Sequence, residues 1–544
     1  MTMTLTTRTG TGALTRLGLR RDRFRLLIWI LILVGLMAAV AAKFVDIYGT
    51  KAEIAGIVQT LKSPAIVAMF GPFQLGKNAT TAQIFANEML LFMALIQVVM
   101  NLGLAVHATR YEEDQGLTEL LRAHAIGPQA QLMAAASELT LVNLGIGILY
   151  ALGLDLAQMP GATTAGNWLI GLGLAAIGWL FGMLALLLAQ LADHAASATG
   201  MAYALFGLSY LVRMITDVQQ PRLTWWSPLG WVEKLSPYHR PNWLPVGLML
   251  LTGLILINLA IWVVQHRDLG AGAIATHPGR RTASPLLRGP LTLLWRRQHN
   301  VFIGWFLGVI VLGMAYGTVF NTIGDILKTN PTMQQVFGKA VVHSANHSLL
   351  LNFSALLTVV MAAVAIIPGL QLIFKLYGDE THGWLEALYA RPLSRTRLFL
   401  SYIGPAGLLS TVIFLGGWGG LVLTGNASLT HAADGITTFE FWQGFWGQLP
   451  VIWLFLALGV LLVGTWPRGR SLAWLYLAYG FISQYLGNLL QLPKWAKQLS
   501  PFGWLPSVPV HQVEWTTFSW EVSLAVLLGL IGWWGYTHRD LQQH

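Results

Sequence analysis

His266-Arg267-Asp268-Leu269 recurs as His538-Arg539-Asp540-Leu541, 272 residues later in a chain of 544. Three further pairs hold nearly the same offset in the same order. Ser227-Pro228-Leu229-Gly230-Trp231 matches Ser500-Pro501-Phe502-Gly503-Trp504 at 273. At 267, Glu112-Glu113, Gly116, Glu119, Leu121 and Ala123 match Asp379-Glu380, Gly383, Glu386, Leu388 and Ala390, and Pro64 with Phe70-Gly71 matches Pro331 with Phe337-Gly338. Any one pair is explicable by chance; four collinear pairs that drift by a few residues mark an internal duplication.

Hydrophobic residues make up 55% of the chain and charged residues 10%, with mean hydropathy +0.58, which leaves too little polar surface for a soluble protein of this size. The expected class is an all-α polytopic membrane protein. Its 23 Trp suit interfacial belts, with core packing taking some of them. Without Cys there are no disulfides and no thiol-ligated metals. The net charge of +10 does not point to nucleic acid, because the basic residues form no single patch with interleaved aromatics. They sort by loop: 21 of the 33 Lys and Arg fall on one side of the expected spans. That side is then cytoplasmic, with both termini on it.

Apolar runs long enough for helical spans fall near 26–44, 86–108, 130–154, 166–191, 196–215 and 244–265. The second half gives 302–321, 352–374, 398–423, 444–465, 472–492 and 520–537. The expectation is 12 transmembrane helices as two tandem six-helix repeats, parallel because each half begins and ends inside. The divisions are a basic amphipathic segment 1–25, a first half 26–269, a Gly/Pro/Arg linker 270–290 and a second half 291–544. A translocation pathway between such halves is the natural geometry. Leu26 to Ala42 also resembles a secretory signal. However, Arg20-Arg21 with Trp29 reappears as Arg296-Arg297 with Trp305 before an internal segment, so the first span is expected to be retained. The Ser-Pro-x-Gly-Trp loops are rich in Pro and Trp and suit short re-entrant pieces or ordinary interfacial anchoring.

Seven of eleven acidic residues on the basic face lie in the two Glu-rich repeats. Glu112, Glu113 and Asp114 are expected where a short helix begins, a position the helix dipole favours for carboxylates. Gly116 and Gly383 would admit a close backbone. Leu117, Leu120 and Leu121 supply an apolar side. Acids are poorly placed against an anionic inner leaflet, so a protein partner explains them better.

Here the sequence resembles the permeases of type-2 ATP-binding-cassette (ABC) exporters. In those, a coupling helix between the second and third spans of each half docks on an ATPase. The fused two-half layout, the Arg-rich N-terminal helix and the closing Arg-Asp-Leu look most like permeases of polyketide-antibiotic exporters of the tetronasin-resistance kind. The resemblance implies ATPase docking by Glu112, Glu113, Gly116, Glu119 and Leu121, and by Asp379, Glu380, Gly383, Glu386 and Leu388. It implies two copies of a separate ATPase that bind ATP and Mg²⁺, no cofactor in this chain, a hydrophobic small-molecule substrate, surrounding lipid and a bacterial cell membrane. Trp384 after Gly383, and Tyr377 where the first half has Arg110, depart from symmetry and suggest unequal docking surfaces.

Polar groups within the spans are costly and suggest a pathway. Glu88, Met93, Gln97, Asn101 and Glu138 are the candidates, Met being able to repack around varied apolar cargo; an interfacial or packing role is the plain alternative. Gly71-Pro72-Phe73-Gln74-Leu75-Gly76-Lys77-Asn78 has phosphate-loop spacing but lacks the Ser/Thr for Mg²⁺, so nucleotide binding is not expected there. The 14 His lack metal-ligand spacing, and no nucleophile, base and orienting group recur together. The rival readings are a proton-driven twelve-helix drug transporter, which would carry a basic Gly-rich motif where this chain is acidic, and a membrane enzyme, whose single active centre would not need duplicated acids.

Overall fold

A computed structural model describes residues 7–47, 54, 58, 61, 67, 70–73, 79–274, 282, 284–320, 346–389, 393–429, 431, 434–485, 492–504 and 507–540. Among these residues the ordered elements are helices and there is no strand. Among the described residues, eleven helices are long and apolar enough to cross a membrane. The chain divides into two compact units, Met1–Gly279 and Arg280–His544.

In the first unit, α1 is Thr11–Ile47, α2 Thr81–Val106, α3 Leu117–Arg122, α4 Ala130–Ala157, α5 Thr164–Leu191, α6 Ala195–Gln219 and α7 Leu244–His266. Thr80 starts α2 with a capping box closed by Gln83, and Thr163 caps α5 by accepting the Gly166 N–H at 3.1 Å. Within the basic segment expected at 1–25, α1 starts at Thr11 and continues without a break into the first expected span. Burial divides the helices by role. The apolar windows of α2 and α5 are 72% and 78% buried, whereas those of α1 and α6 are 22% and 11% buried. Helices that are apolar and yet uncovered need lipid as their solvent. The protein is a multi-pass membrane protein. Small residues set the closest crossings: a Cβ on Gly171 of α5 would collide with the carbonyl oxygen of Gly147 in α4.

In the second unit, α8 is Pro290–Gly317, α9 Asn346–Thr381, α10 Glu386–Tyr389, α11 Arg395–Ser428, α12 Thr438–Thr465, α13 Leu472–Tyr485 and α14 Trp515–His538. The same sorting holds, α9 and α12 being 72% and 78% buried and α8 and α14 each 22%. Gly313 of α8 abuts the Gly417 carbonyl of α11, and Gly464 of α12 that of Gly532 in α14. The span expected at 472–492 lies partly outside the described residues; its described part, α13, has 14 residues and is not one of the eleven. The Pro- and Trp-rich loops contain short helical turns, Leu223–Trp226 and Gly230–Glu233 in one unit, Lys494–Gln498 and Pro501–Gly503 in the other.

Candidate functional site

The acidic repeat of the first unit does not begin a helix. It ends one. After Val106 the backbone widens into a π turn, His107–Tyr111, and the helix continues through Glu112–Asp114. Carboxylates at a helix C-terminus oppose its dipole, so cations must compensate. The π turn supplies one: it carries Arg110, whose side chain has no exposure and whose Nη1 lies 2.9 Å from Glu113. Arg267, just past the end of α7, supplies a second through a two-pronged pair with Glu113 at 2.8 and 2.7 Å. Gly270 donates its backbone N–H to the same carboxylate at 2.8 Å. Arg21 of α1 pairs with Glu112, whose other oxygen accepts from Gln131 of α4 at 3.0 Å. Asp114 turns the other way and accepts the N–H of Ala195, the first residue of α6, at 2.7 Å.

Gly116 follows at φ 73°, with its N–H bonded to the Glu113 carbonyl at 3.0 Å. A Cβ there would meet nothing within 4 Å among the described residues, so no neighbouring backbone of this chain crowds the position. The residue is glycine because the turn needs a left-handed conformation. Beyond it, α3 buries Thr118 and leaves Glu119, Leu117 and Leu120 exposed, with Leu121 half-buried.

The second unit reaches the same end with different parts. Asp379 and Glu380 lie in the last turn of α9, which is 1% and 6% exposed at these residues. Arg539, past the end of α14, lies 2.5 Å from Glu380. Asp379 accepts the Tyr402 hydroxyl at 2.7 Å and faces Lys375 at 3.3 Å and Arg297 of α8 at 3.8 Å. Tyr377 stands where the first unit has Arg110, and a guanidinium still arrives: Arg470 stacks over its ring at 4.7 Å. Gly383 has φ 71°, and its N–H meets the Glu380 carbonyl at 3.0 Å. Exposed Trp384 and Glu386 and half-buried Leu388 follow. Gly116→Ala or Gly383→Ala is expected to cost about 1–2 kcal/mol, the price of a left-handed L-residue, and to lower the thermal unfolding midpoint of the purified chain. An alanine variant as stable as the parent would contradict the turn described.

The proposed pathway residues do not converge. Glu88 sits near the start of α2, at the end of the bundle away from the acidic turn. Glu138 lies at the acidic end, against Gly18 of α1 in a small cleft with Arg21 and Glu112. Gln97 and Asn101 are fully buried and bond to Asn143 of α4 at 2.8 and 3.0 Å, and Met93 packs in the core. The phosphate-loop-like stretch lies mostly outside the described residues, as do Phe337-Gly338-Lys339.

Other charged groups escaped the sequence reading. Arg213 and Asp217, four apart in α6, are both fully buried, and Arg213 lies 2.7 Å from Glu233. Burial pushes the Glu233 carboxyl up to about 8 although Arg213 pulls the other way. Glu233 lines a cavity of about 120 Å³ with Phe70, Phe73, Asn87, Leu90 and Tyr238. In the second unit Glu521 of α14 is wholly buried. An Arg and an Asp at ion-pair spacing inside an apolar run were the available signal for the first pair; nothing local distinguishes Glu233 or Glu521.

Within each unit, lipid-facing apolar helices packed against more deeply buried ones define an all-helical multi-pass membrane protein. The comparisons make the class specific. Residues 287–537 match the family described as multidrug efflux system permease Rv1217c, C-terminal domain. Over 537 residues, 98% of this chain and 96% of the relative, the chain is 31% identical to multidrug efflux system permease protein Rv1217c of Mycobacterium tuberculosis (strain ATCC 25618 / H37Rv). The chain belongs to this family of multidrug efflux permeases, and so is a transporter component rather than an enzyme.

Proposed function

We propose that the chain is the membrane subunit of an ATP-driven exporter of the type-2 ABC class, nearest the tetronasin-resistance kind, that expels hydrophobic drug-like molecules. Its twelve spans form two tandem six-helix halves, 26–269 and 291–544, joined by the linker 270–290. Both termini and both acidic turns face the cytoplasm of a bacterial cell, as the distribution of Lys and Arg over the loops supports. Two copies of a separate ATPase carry the ATP and Mg²⁺.

The observation that carries this reading is the turn after each acidic pair. Each turn follows a mostly buried helix, is closed by a backbone hydrogen bond, and yet exposes large apolar side chains: Leu117 at 45%, Leu120 at 66% and Trp384 at 54%. Exposed apolar groups on a fixed turn at a membrane-protein end suit a partner surface. Glu119 and Glu386 border these patches and suit basic residues on that partner. The test is co-purification. The chain, co-expressed with candidate ABC ATPase subunits from the same organism, is expected to retain one of them through detergent purification and to stimulate its ATP hydrolysis when reconstituted. Absence of binding, or drug export that continues without ATP and collapses with the proton gradient, would overturn the reading.

A further inference from the structure

We propose that Arg21 with Arg267, and Arg297 with Arg539, are positioning residues: each pair clasps the acidic residues of its own unit, so that the first helix, the last helix and the docking turn move as one body. Three of the duplicated sequence features meet at this point. Arg21 and Arg297 come from the Arg-rich repeat near the start of each half, and Arg267 and Arg539 from the closing His-Arg-Asp repeat. They fall on the first and second acids of the third repeat, Arg21 on Glu112, Arg267 on Glu113, Arg297 on Asp379 and Arg539 on Glu380.

The surroundings differ, and the clasp is the same. The first unit supports its second acid with Arg110 and the Gly270 N–H; in the second, Tyr377 replaces Arg110, and the position matching Gly270 lies outside the described residues. In the second unit Arg395 instead fastens the end of α14, donating to the carbonyls of Thr537 and Arg539 at 3.2 and 2.8 Å. In the first unit Gln190, in the last turn of α5, accepts from Arg267 at 2.9 and 3.1 Å. All four acids are buried, so a docked partner does not reach them. Their work is inward. Opening such a pair strands a charge away from water, so a displacement of the turn passes to the helix ends before the pair yields.

This rests on the reading that the turn is where an ATPase pulls, and the experiment separates the two. The chain has no cysteine, so His124→Cys and His266→Cys, both at exposed positions, place a spin-label pair across the first clasp without background. In the full-length chain alone, pulsed electron paramagnetic resonance is expected to give one narrow distance distribution, and Arg267→Gln to broaden it. In the ATPase complex the narrow distribution is expected to stay unchanged on adding a non-hydrolysable ATP analogue. Drug exported per ATP hydrolysed is expected to fall about fivefold in Arg267→Gln and in Glu113→Gln. The double variant is expected to be no worse than either single, the mark of two groups acting through one contact. Arg539→Gln and Glu380→Gln repeat the measurement in the second unit should a first-unit variant fail to fold. An unbroadened distribution in Arg267→Gln, or additive losses in the double variant, would overturn the clasp. Failure to bind any ATPase would overturn the exporter reading and leave the distance measurement on the chain alone to decide the clasp.

Discussion

Replacing Leu117 and Leu120 together by aspartate is expected to strip the ATPase from the purified complex and to lower drug export at least about 100-fold. Each leucine covered by a partner contributes about 1.5–3 kcal/mol, so the pair together accounts for two or more decades of affinity. Aspartate adds a charge that the partner must also desolvate. The fold has no stake in these side chains: Leu117 and Leu120 are 45% and 66% exposed, and the turn is seated by Thr118, which bonds to Gln131 at 3.0 Å. The thermal unfolding midpoint of the chain alone should therefore stay within about 2 °C of the parent, as surface substitutions within about 0.5 kcal/mol require. The second unit answers differently. Trp384 is held by cation–π contacts with Arg297 at 4.8 Å and Lys375 at 5.6 Å, so Trp384→Ala disturbs the local cation arrangement as well as the exposed patch. Full retention of the ATPase by the double aspartate variant would remove α3 as the docking element.

The acidic repeats show what a sequence discloses and what it withholds. Their position after the second and eighth expected spans was legible from hydropathy alone. So was their importance, because the same spacing occurs twice. The direction of the acids was not legible. Two routes satisfy carboxylates beside a helix end, the amides of a helix that starts there or cations brought from elsewhere, and local sequence favours the first because it is local. Only one of those cations, Arg110, is local; the other two lie 91 and 154 residues away, in Arg21 and Arg267. The same locality explains the span boundaries. The run expected at 86–108 became a helix from Thr81 to Asp114, since hydropathy measures the part that lipid requires and hydrogen bonding carries the helix further at both ends. The glycines were legible as special positions, but not the backbone conformation behind them, because an open left-handed turn and a crowded backbone crossing both demand glycine. Gly116 is of the first kind, Gly171 of the second.

The buried amides of α2 and α4 decide between a pathway and a latch, and Asn143 is the place to ask. It accepts from Gln97 at 2.8 Å and Asn101 at 3.0 Å and donates to the Leu139 carbonyl at 2.8 Å; the Tyr150 hydroxyl closes on Gln97 at 3.4 Å. Gly178 of α5 lies directly over the group, where a Cβ would meet the amides of Asn143 and Asn101 and the Cγ of Gln97 at 2.6–2.7 Å. A cluster so fully paired and so tightly covered has no free valence to offer a passing molecule. Asn143→Val leaves the amides of Gln97 and Asn101 without their shared acceptor. At about 1–3 kcal/mol per stranded group, tempered by the roughly 0.6 kcal/mol average for polar pairs between membrane helices, the cost is about 2 kcal/mol. The thermal midpoint should fall by roughly 5 °C. Replacing all three at once, Gln97→Leu with Asn101→Val and Asn143→Val, removes donors and acceptors together and should regain most of that loss, because matched apolar groups are nearly neutral where a half-satisfied network is not. Export by the triple variant should stay within about threefold of the parent, the spread that about 0.6 kcal/mol allows. A triple variant as stable as the parent that exports nothing would show instead that these amides handle the cargo, and would put Gln97 and Asn101 back on its path.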